Sequence, residues 1–122
     1  MILNQVLYTA LQALAGGRVY PDEAPQGGAL PYVTYRAMGE NWTHGHDRSI
    51  SLIGNRMVQF DAYAETQDAA WTLADQICTT LNGLTTSTLN RAFIRERLSL
   101  PEQDTRLFRV SIDVELWGDL IA

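Results

Sequence analysis

The first residues of the chain alternate between apolar and polar positions with the period of an α-helix. The apolar side chains recur at spacings of three and four and form one stripe of six residues, Leu3, Val6, Leu7, Ala10, Leu11 and Leu14. This pattern predicts a helix over residues 2–15. Gly16 and Gly17 are expected to end it, because glycine readily adopts the left-handed backbone that follows many helices. A short strand is expected at residues 18–20.

The next segments differ in their tendency to form strands. Residues 21–31 contain three prolines and two acidic side chains, which predicts a long surface loop. Residues 32–37 are β-branched and aromatic and predict a strand, whereas polar residues and glycine over 39–47 are expected to break it. Strand character returns at residues 49–64, and the pattern leaves open whether this segment is one bulged strand or a hairpin.

Helical periodicity reappears over residues 67–82. Five apolar residues repeat at spacings of three or four, namely Ala70, Leu73, Ala74, Ile77 and Leu81. Thr66 is expected to cap the helix, and Asp68 favours the positive end of its dipole. We expect Cys78 to be a small core residue on this helix and Trp71 to lie at the edge of the core.

The last third of the chain predicts an antiparallel hairpin. Five apolar residues, Phe108, Val110, Ile112, Val114 and Leu116, alternate strictly with more polar ones. In the preceding strand, Ala92, Ile94 and Leu98 are expected to face inward and Arg91, Arg95 and Arg97 outward. A turn over residues 101–105 would place Leu98 opposite Phe108 and Arg91 opposite Glu115.

These elements together predict the fold class. The order helix, strands, helix, hairpin indicates a single α+β domain over residues 1–122, with a mostly antiparallel β-sheet in two layers. Two amphipathic helices packed on one face of such a sheet leave the second face polar.

Composition excludes several classes of function. The net charge is −5, the nine basic residues are all arginine, and lysine is absent, which removes P-loop and Schiff-base chemistry. An acidic chain is a poor match for nucleic acid, so no specific nucleic-acid partner is expected. The apolar runs are too short to span a membrane, and the start of the chain lacks the pattern of an export signal, so we expect a cytoplasmic protein and no membrane partner.

The candidates for catalysis or metal binding are few. Residues 44–47 place His44, His46 and Asp47 together, but the pattern lacks a third histidine and an identifiable residue that would orient the imidazoles by a hydrogen bond. We therefore expect no catalytic residues, no cofactor and no metal. The alternative hypothesis is a small cytoplasmic enzyme or metal- or ligand-binding domain that uses this loop. Asp113 and Glu115 are expected to form cross-strand ion pairs with the hairpin arginines rather than an acid–base site.

Two tryptophans stand where burial is not expected. Trp42 follows a strand in a polar segment, and Trp117 has the outward parity of the last strand. Large aromatic side chains are favoured at protein–protein interfaces, and the alternative that each ring folds back onto its own domain stays open.

Several short motifs resemble a known family in their order and spacing. They are Gly17-Arg18-Val19-Tyr20, Ala24-Pro25, Leu30-Pro31-Tyr32-Val33, the run from Val58 to Ala64, Leu73-Ala74-Asp75 and the closing run from Phe108 to Val114. Together they resemble the tail-completion, tail-terminator-like proteins of long-tailed bacteriophages and prophages. The resemblance implies a structural protein that closes the head-proximal end of the tail tube and joins it to the head connector.

The resemblance further implies a homo-oligomeric ring of six subunits, with the tail-tube and head-connector proteins as further partners. Such a protein would assemble in the host cytoplasm and reside in the neck or tail of the virion. Terminator, head–tail adaptor and minor tail component all remain open, as does a dimeric binding module. The candidate interface comprises Trp42, His44, His46, Asp47, Arg91, Arg95, Asp113, Glu115 and Trp117. One patch is the outer hairpin face, and the other comprises the loops around 26–29 and 42–47.

Overall fold

A computed structural model describes residues 2–21, 30–44, 50–82, 89–102 and 107–119. In this part of the chain two α-helices and five strands follow one another, with a 3-10 turn at Ala15–Gly17. They are α1 (Ile2–Leu11), β1 (Val19–Pro21), β2 (Tyr32–His44), β3 (Ile50–Ala64), α2 (Gln67–Asn82), β4 (Leu89–Glu102) and β5 (Leu107–Asp119). The predicted α+β class is confirmed.

The strands form one sheet in the order β1-β2-β3-β5-β4. β1 runs parallel to β2, and every other pairing is antiparallel. α2 packs against β3, β4 and β5, while α1 contacts α2 and β1. The two helices therefore form one layer, and the sheet forms the other.

The core lies between these layers. Its fully enclosed side chains include Leu7 and Leu11 of α1, Ile77 and Leu81 of α2, and Val33, Val58, Phe60, Val110, Ile112, Val114 and Leu116 of the sheet. Burial of each large apolar side chain contributes about 1.5–3 kcal/mol. The predicted inward parity of β5 is confirmed, as are the buried stripe and the bounds of α2. Ala69 N–H also donates to Thr66 Oγ1 at 3.1 Å, the expected cap.

The first helix ends four residues earlier than the apolar stripe predicted. Leu14 is extended, and Ala15 and Gly16 adopt positive φ angles of 50° and 63°. Leu14 nevertheless packs against the core, which explains why the stripe continues beyond the helix. The side chain of Arg18 then donates to the carbonyl of Pro31 at 2.8 Å and ties this turn to the start of β2.

The expected break over residues 39–47 is wrong for residues 39–44. β2 continues to His44 through an irregularity between Ala37 and Gly39, because β3 provides partners along nearly its whole length. β3 is one strand and not a hairpin, with Gly54 and Asn55 paired on both sides. Residues 45–49 lie outside the described residues, as do residues 22–29 of the predicted loop.

The predicted hairpin forms, but its register differs. Leu98 lies opposite Ser111 and Arg91 opposite Trp117, and Pro101 and Glu102 belong to β4 instead of the turn. A bulge between Ile94 and Glu96 inserts one extra residue into β4. Because side chains alternate between faces with a period of two, such an insertion moves every later residue to the opposite face.

This bulge corrects two further expectations. Leu98, predicted to face inward, is 50% exposed. Arg97, predicted to point to the outer face, instead reaches the helix layer, where it forms an ion pair with Asp75 and lies 5.1 Å from the centre of the Trp71 ring. Trp71 and Cys78 are partly buried against the core. None of the described helices is long and apolar enough to cross a membrane.

Candidate functional site

The sheet surface opposite the two helices is called the open face here. It is formed by the residues that alternate with the core positions, such as Gln59 and Asp61 of β3 and Ser111 of β5. Gln59 donates to Ser111 Oγ at 2.8 Å and to Asp61 Oδ1 at 3.2 Å. The bond to Ser111 links β3 to β5, the bond to Asp61 lies within β3, and both satisfy polar groups that are partly shielded from water.

One end of the open face is aromatic. Tyr20, Tyr32 and Tyr63 come from three neighbouring strands, and the Tyr32 and Tyr63 rings stack with centres 4.7 Å apart. The guanidinium of Arg109 lies 6.0 Å from the centre of the Tyr63 ring, an arrangement suited to a cation–π contact. This tyrosine cluster was missed in the sequence because its members are brought together only by strand pairing.

The other end of the open face carries charge. Arg95 forms an ion pair with Glu115 and donates to it through Nε at 2.9 Å, and Asn55 Nδ2 donates to the other carboxylate oxygen at 2.5 Å. Phe93 lies opposite Glu115, with the guanidiniums of Arg91 and Arg95 at 5.1 and 5.3 Å from its ring centre. The expected ion pair is therefore confirmed for Glu115 with Arg95 but not with Arg91, and Glu115 is buried rather than exposed. The pair expected for Asp113 is not found among the described residues, since Asp113 lies opposite Glu96.

A groove of about 380 Å³ opens where β2 bulges. Its lining includes Met38, Met57 and the carboxylate-bearing Glu40 and Asp113. A Cβ atom placed on Gly39 would meet no other atom within 4 Å, which shows how open the backbone is here. Glu40 accepts hydrogen bonds from Nε and Nη2 of Arg56 at 2.9 and 2.6 Å. No pattern in the sequence indicated this groove, because it depends on the bulge.

The predicted interface residues cluster at one end of the sheet. Trp117 pairs with both Asn55 and Arg91, and one row further along, Trp42 pairs with Gly54. Trp42 and His44 are placed here by their backbone alone, while His46 and Asp47 lie outside the described residues. The two patches expected from the sequence thus adjoin at one end of the sheet where they are described, but the row of Trp42 and the row of Trp117 belong to opposite faces of the sheet.

Catalytic or metal-binding geometry does not emerge from the described residues. In that part of the chain no three histidine, cysteine or acidic side chains are grouped to hold a metal ion. Burial raises the pKa of the Cys78 thiol, and the nearby Arg97 only partly offsets this rise. A raised pKa is opposite to the shift that activates a cysteine nucleophile.

Comparison with known proteins shows which family has this architecture. A family model described as "Tail completion protein gp17" matches residues 5–119. One similar solved structure, titled "Virion of native gene transfer agent (GTA) particle", contains a chain with 17% sequence identity and a TM-score of 0.69. The match covers 96% of the present chain and 94% of that chain, and at this identity it shows the fold. No curated protein matches the sequence.

The two findings agree with each other and with the α+β sheet described above. The family model leaves out only a few residues at each end of the 122-residue chain. The chain therefore belongs to the tail completion protein gp17 family and is a structural protein of a phage tail.

Proposed function

We propose that the protein closes the head-proximal end of the tail tube and joins it to the head connector, as a ring of six identical subunits. The observation that carries this proposal is the family match over residues 5–119. Its partners are further copies of itself, the tail-tube protein and the head-connector protein. It assembles in the host cytoplasm and remains in the neck of the virion, with a structural instead of a catalytic role.

The open face supports this proposal physically. It offers arginine, tyrosine and tryptophan side chains without a covering helix among the described residues, and such residues are enriched in protein interfaces. Trp117 and Arg91 lie at one end of it, and Trp42 lies in the neighbouring row, which belongs to the opposite face of the sheet. We assign this end of the sheet to contacts with neck or tail partners. We assign His44, His46 and Asp47, which follow Trp42 in the sequence, to the same contacts.

Loss of the protein tests the role in assembly. A phage or prophage that lacks the gene is induced, and its products are examined by negative-stain microscopy, with the wild-type gene supplied in trans as the control. Because a tube end that is not closed can continue to grow, a terminator predicts unjoined heads and tails of irregular length. An adaptor predicts unjoined heads with tails of normal length. Joined particles of normal appearance would contradict both roles.

A point variant tests the assigned surface. Trp42 and His44 pair with Gly54 and Ile50, so deletion of residues 42–47 would disturb the end of the sheet. Trp42→Ser is therefore the better change, and Thr72→Ser on the exposed side of α2 is its control. We expect the Trp42 variant to unfold like the wild type but to restore few infectious particles in the complementation assay. A yield of infectious particles equal to that of the wild type would show that Trp42 does not belong to the assigned contact surface.

Polar subunit contacts are easily screened by salt, which bears on the free protein. We expect the isolated chain to be a monomer that forms a ring only at the end of the tube. Light scattering over a range of concentrations at low and high salt measures this. A ring that persists in high salt without tubes would contradict the expectation.

A further inference from the structure

The described sheet ends in two different edges. At one end β4 pairs only with β5, so the outer side of Leu89–Glu102 is an edge. At the other end β1 covers only Val33–Tyr35 of β2, so the segment 36–44 forms the edge. A head-to-tail contact between identical subunits needs two different surfaces, and edges at opposite ends of one sheet provide them.

Neither edge is suited to direct strand pairing with another copy. β2 is irregular between Ala37 and Gly39, and β4 is bulged between Ile94 and Glu96. Bulges and charged side chains are the usual means by which sheet edges avoid backbone pairing. A contact between these edges would therefore be made by side chains.

The β4 edge carries three arginines, and one of them has no acidic ion-pair partner among the described residues. Arg95 is bound to Glu115, and Arg97 is bound to Asp75. Arg91 is exposed, lies over Phe93, and forms no ion pair with any described residue. Its guanidinium is thus available at the outer strand of the sheet.

The groove beside the β2 edge carries a negative charge that complements the positive charge of Arg91. Asp113 is partly buried, lies opposite the like-charged Glu96, and has no ion pair within the described ranges. Arg36, in the same row, is separated from Asp113 by Gln59. The flexible thioethers of Met38 and Met57 line the groove, and such side chains pack well around the aliphatic stem of an arginine.

We propose that Arg91 of one subunit enters the groove of the next subunit and forms an ion pair with its Asp113. The occupant is thus a second copy of this chain, and the inference rests on the ring in the proposed function. Asp113 lies on β5, two strands or about 10 Å in from β2, so the proposed contact places the β4 edge of one subunit over the open face of the next, above the groove, where Arg91 can reach Asp113. An arginine–carboxylate pair enclosed by methionines fixes the register between subunits.

Cysteine cross-linking in assembled particles tests the contact. In a Cys78→Ala background, Met38→Cys and Arg91→Cys are combined in the full chain, which complements a phage without the gene. Purified particles are oxidised and analysed on a non-reducing gel. We expect a ladder of covalent oligomers up to six, because each subunit would be linked to both neighbours. Particles that contain the variant protein but yield no ladder would overturn the contact.

Matched controls separate this geometry from others. Each single cysteine variant is expected to give no cross-link, since a head-to-tail contact brings two different positions together. Dimers from Arg91→Cys alone would indicate a two-fold contact, and linkage to another particle protein would indicate a different occupant; either would refute the proposal. Met38→Cys combined with Thr72→Cys, on the helix layer, should give no ladder.

A charge exchange provides a second test. Arg91→Glu and Asp113→Arg are each expected to reduce the yield of infectious particles at least tenfold, and the double variant to recover most of that loss. Unfolding curves of the isolated proteins show whether each variant folds. A double variant no better than the folded single variants would refute the ion pair. Incorporation into particles is measured separately, so that failure of the tail role itself is distinguished from failure of this contact.

Discussion

The ion pair between Arg95 and Glu115 allows a quantitative test of how the open face is held together. The perturbations are Arg95→Ala, Glu115→Ala and the double variant, which form a double-mutant cycle. Glu115 accepts hydrogen bonds from Arg95 on β4 and from Asn55 on β3, so its carboxylate joins three strands. Loss of either charged partner should therefore lower the free energy of unfolding.

The magnitude follows from the exposure of the two side chains. The Glu115 side chain is 11% exposed, whereas that of Arg95 is 55% exposed. Solvent-exposed pairs contribute about 0–1 kcal/mol, while breaking a fully buried pair costs about 3–5 kcal/mol. Asn55 still binds the carboxylate when Arg95 is absent, which limits the loss. We therefore expect a coupling energy of about 1–2 kcal/mol.

The same protein contains a matched control pair. Arg97 and Asp75 also form an ion pair between charged side chains, but these are 35% and 66% exposed. An exposed pair is strongly screened, so the coupling energy in the Arg97→Ala and Asp75→Ala cycle should be below about 0.5 kcal/mol. Urea unfolding followed by circular dichroism at low and high salt measures both cycles.

One result would refute this reasoning. If the Arg95–Glu115 coupling energy is no larger than the Arg97–Asp75 coupling energy, burial of the carboxylate does not strengthen the pair. A Glu115→Ala variant with the stability of the wild type would lead to the same conclusion. Either outcome would contradict the inference that the Glu115 carboxylate helps to hold β3, β5 and β4 together.

Three further changes test other parts of the structure. Ile112→Asp should prevent cooperative folding, because burying an unpaired carboxylate costs several kcal/mol and the total stability of a domain is about 5–15 kcal/mol. Circular dichroism measures the folding of this variant, and Thr72→Asp, at an exposed helix position, is the control. Thr66→Ala should lower the free energy of unfolding, measured by urea denaturation, by about 1 kcal/mol. An unchanged urea midpoint would show that the Thr66 side chain does not stabilise the helix as a cap. Cys78 should react with iodoacetamide several-fold more slowly than free cysteine at pH 8, because a raised pKa lowers the fraction of thiolate. The reaction rate of Cys78 should rise further above pH 9. A rate at pH 8 equal to that of free cysteine would contradict the burial of the thiol.

The sequence alone determined the elements whose information is local. The stripe of α2 and the alternation in β5 identified their buried residues correctly, because helical and strand periods leave a direct pattern of apolar positions. The Thr66 cap and the α+β class followed from the same kind of pattern. The order of short motifs also indicated the tail-completion family that the comparison with family models confirmed.

Only the tertiary structure decided the features that depend on strand partners. β2 extends through a polar, glycine-containing segment because β3 supplies its hydrogen bonds, and local strand propensity does not contain that information. The bulge in β4 turns Arg97 toward Asp75 and exposes Leu98, whereas a regular strand would place Arg97 outward and Leu98 inward. The methionine-lined groove and the tyrosine cluster arise in the same way, since residues far apart in sequence meet only once the register between strands is fixed.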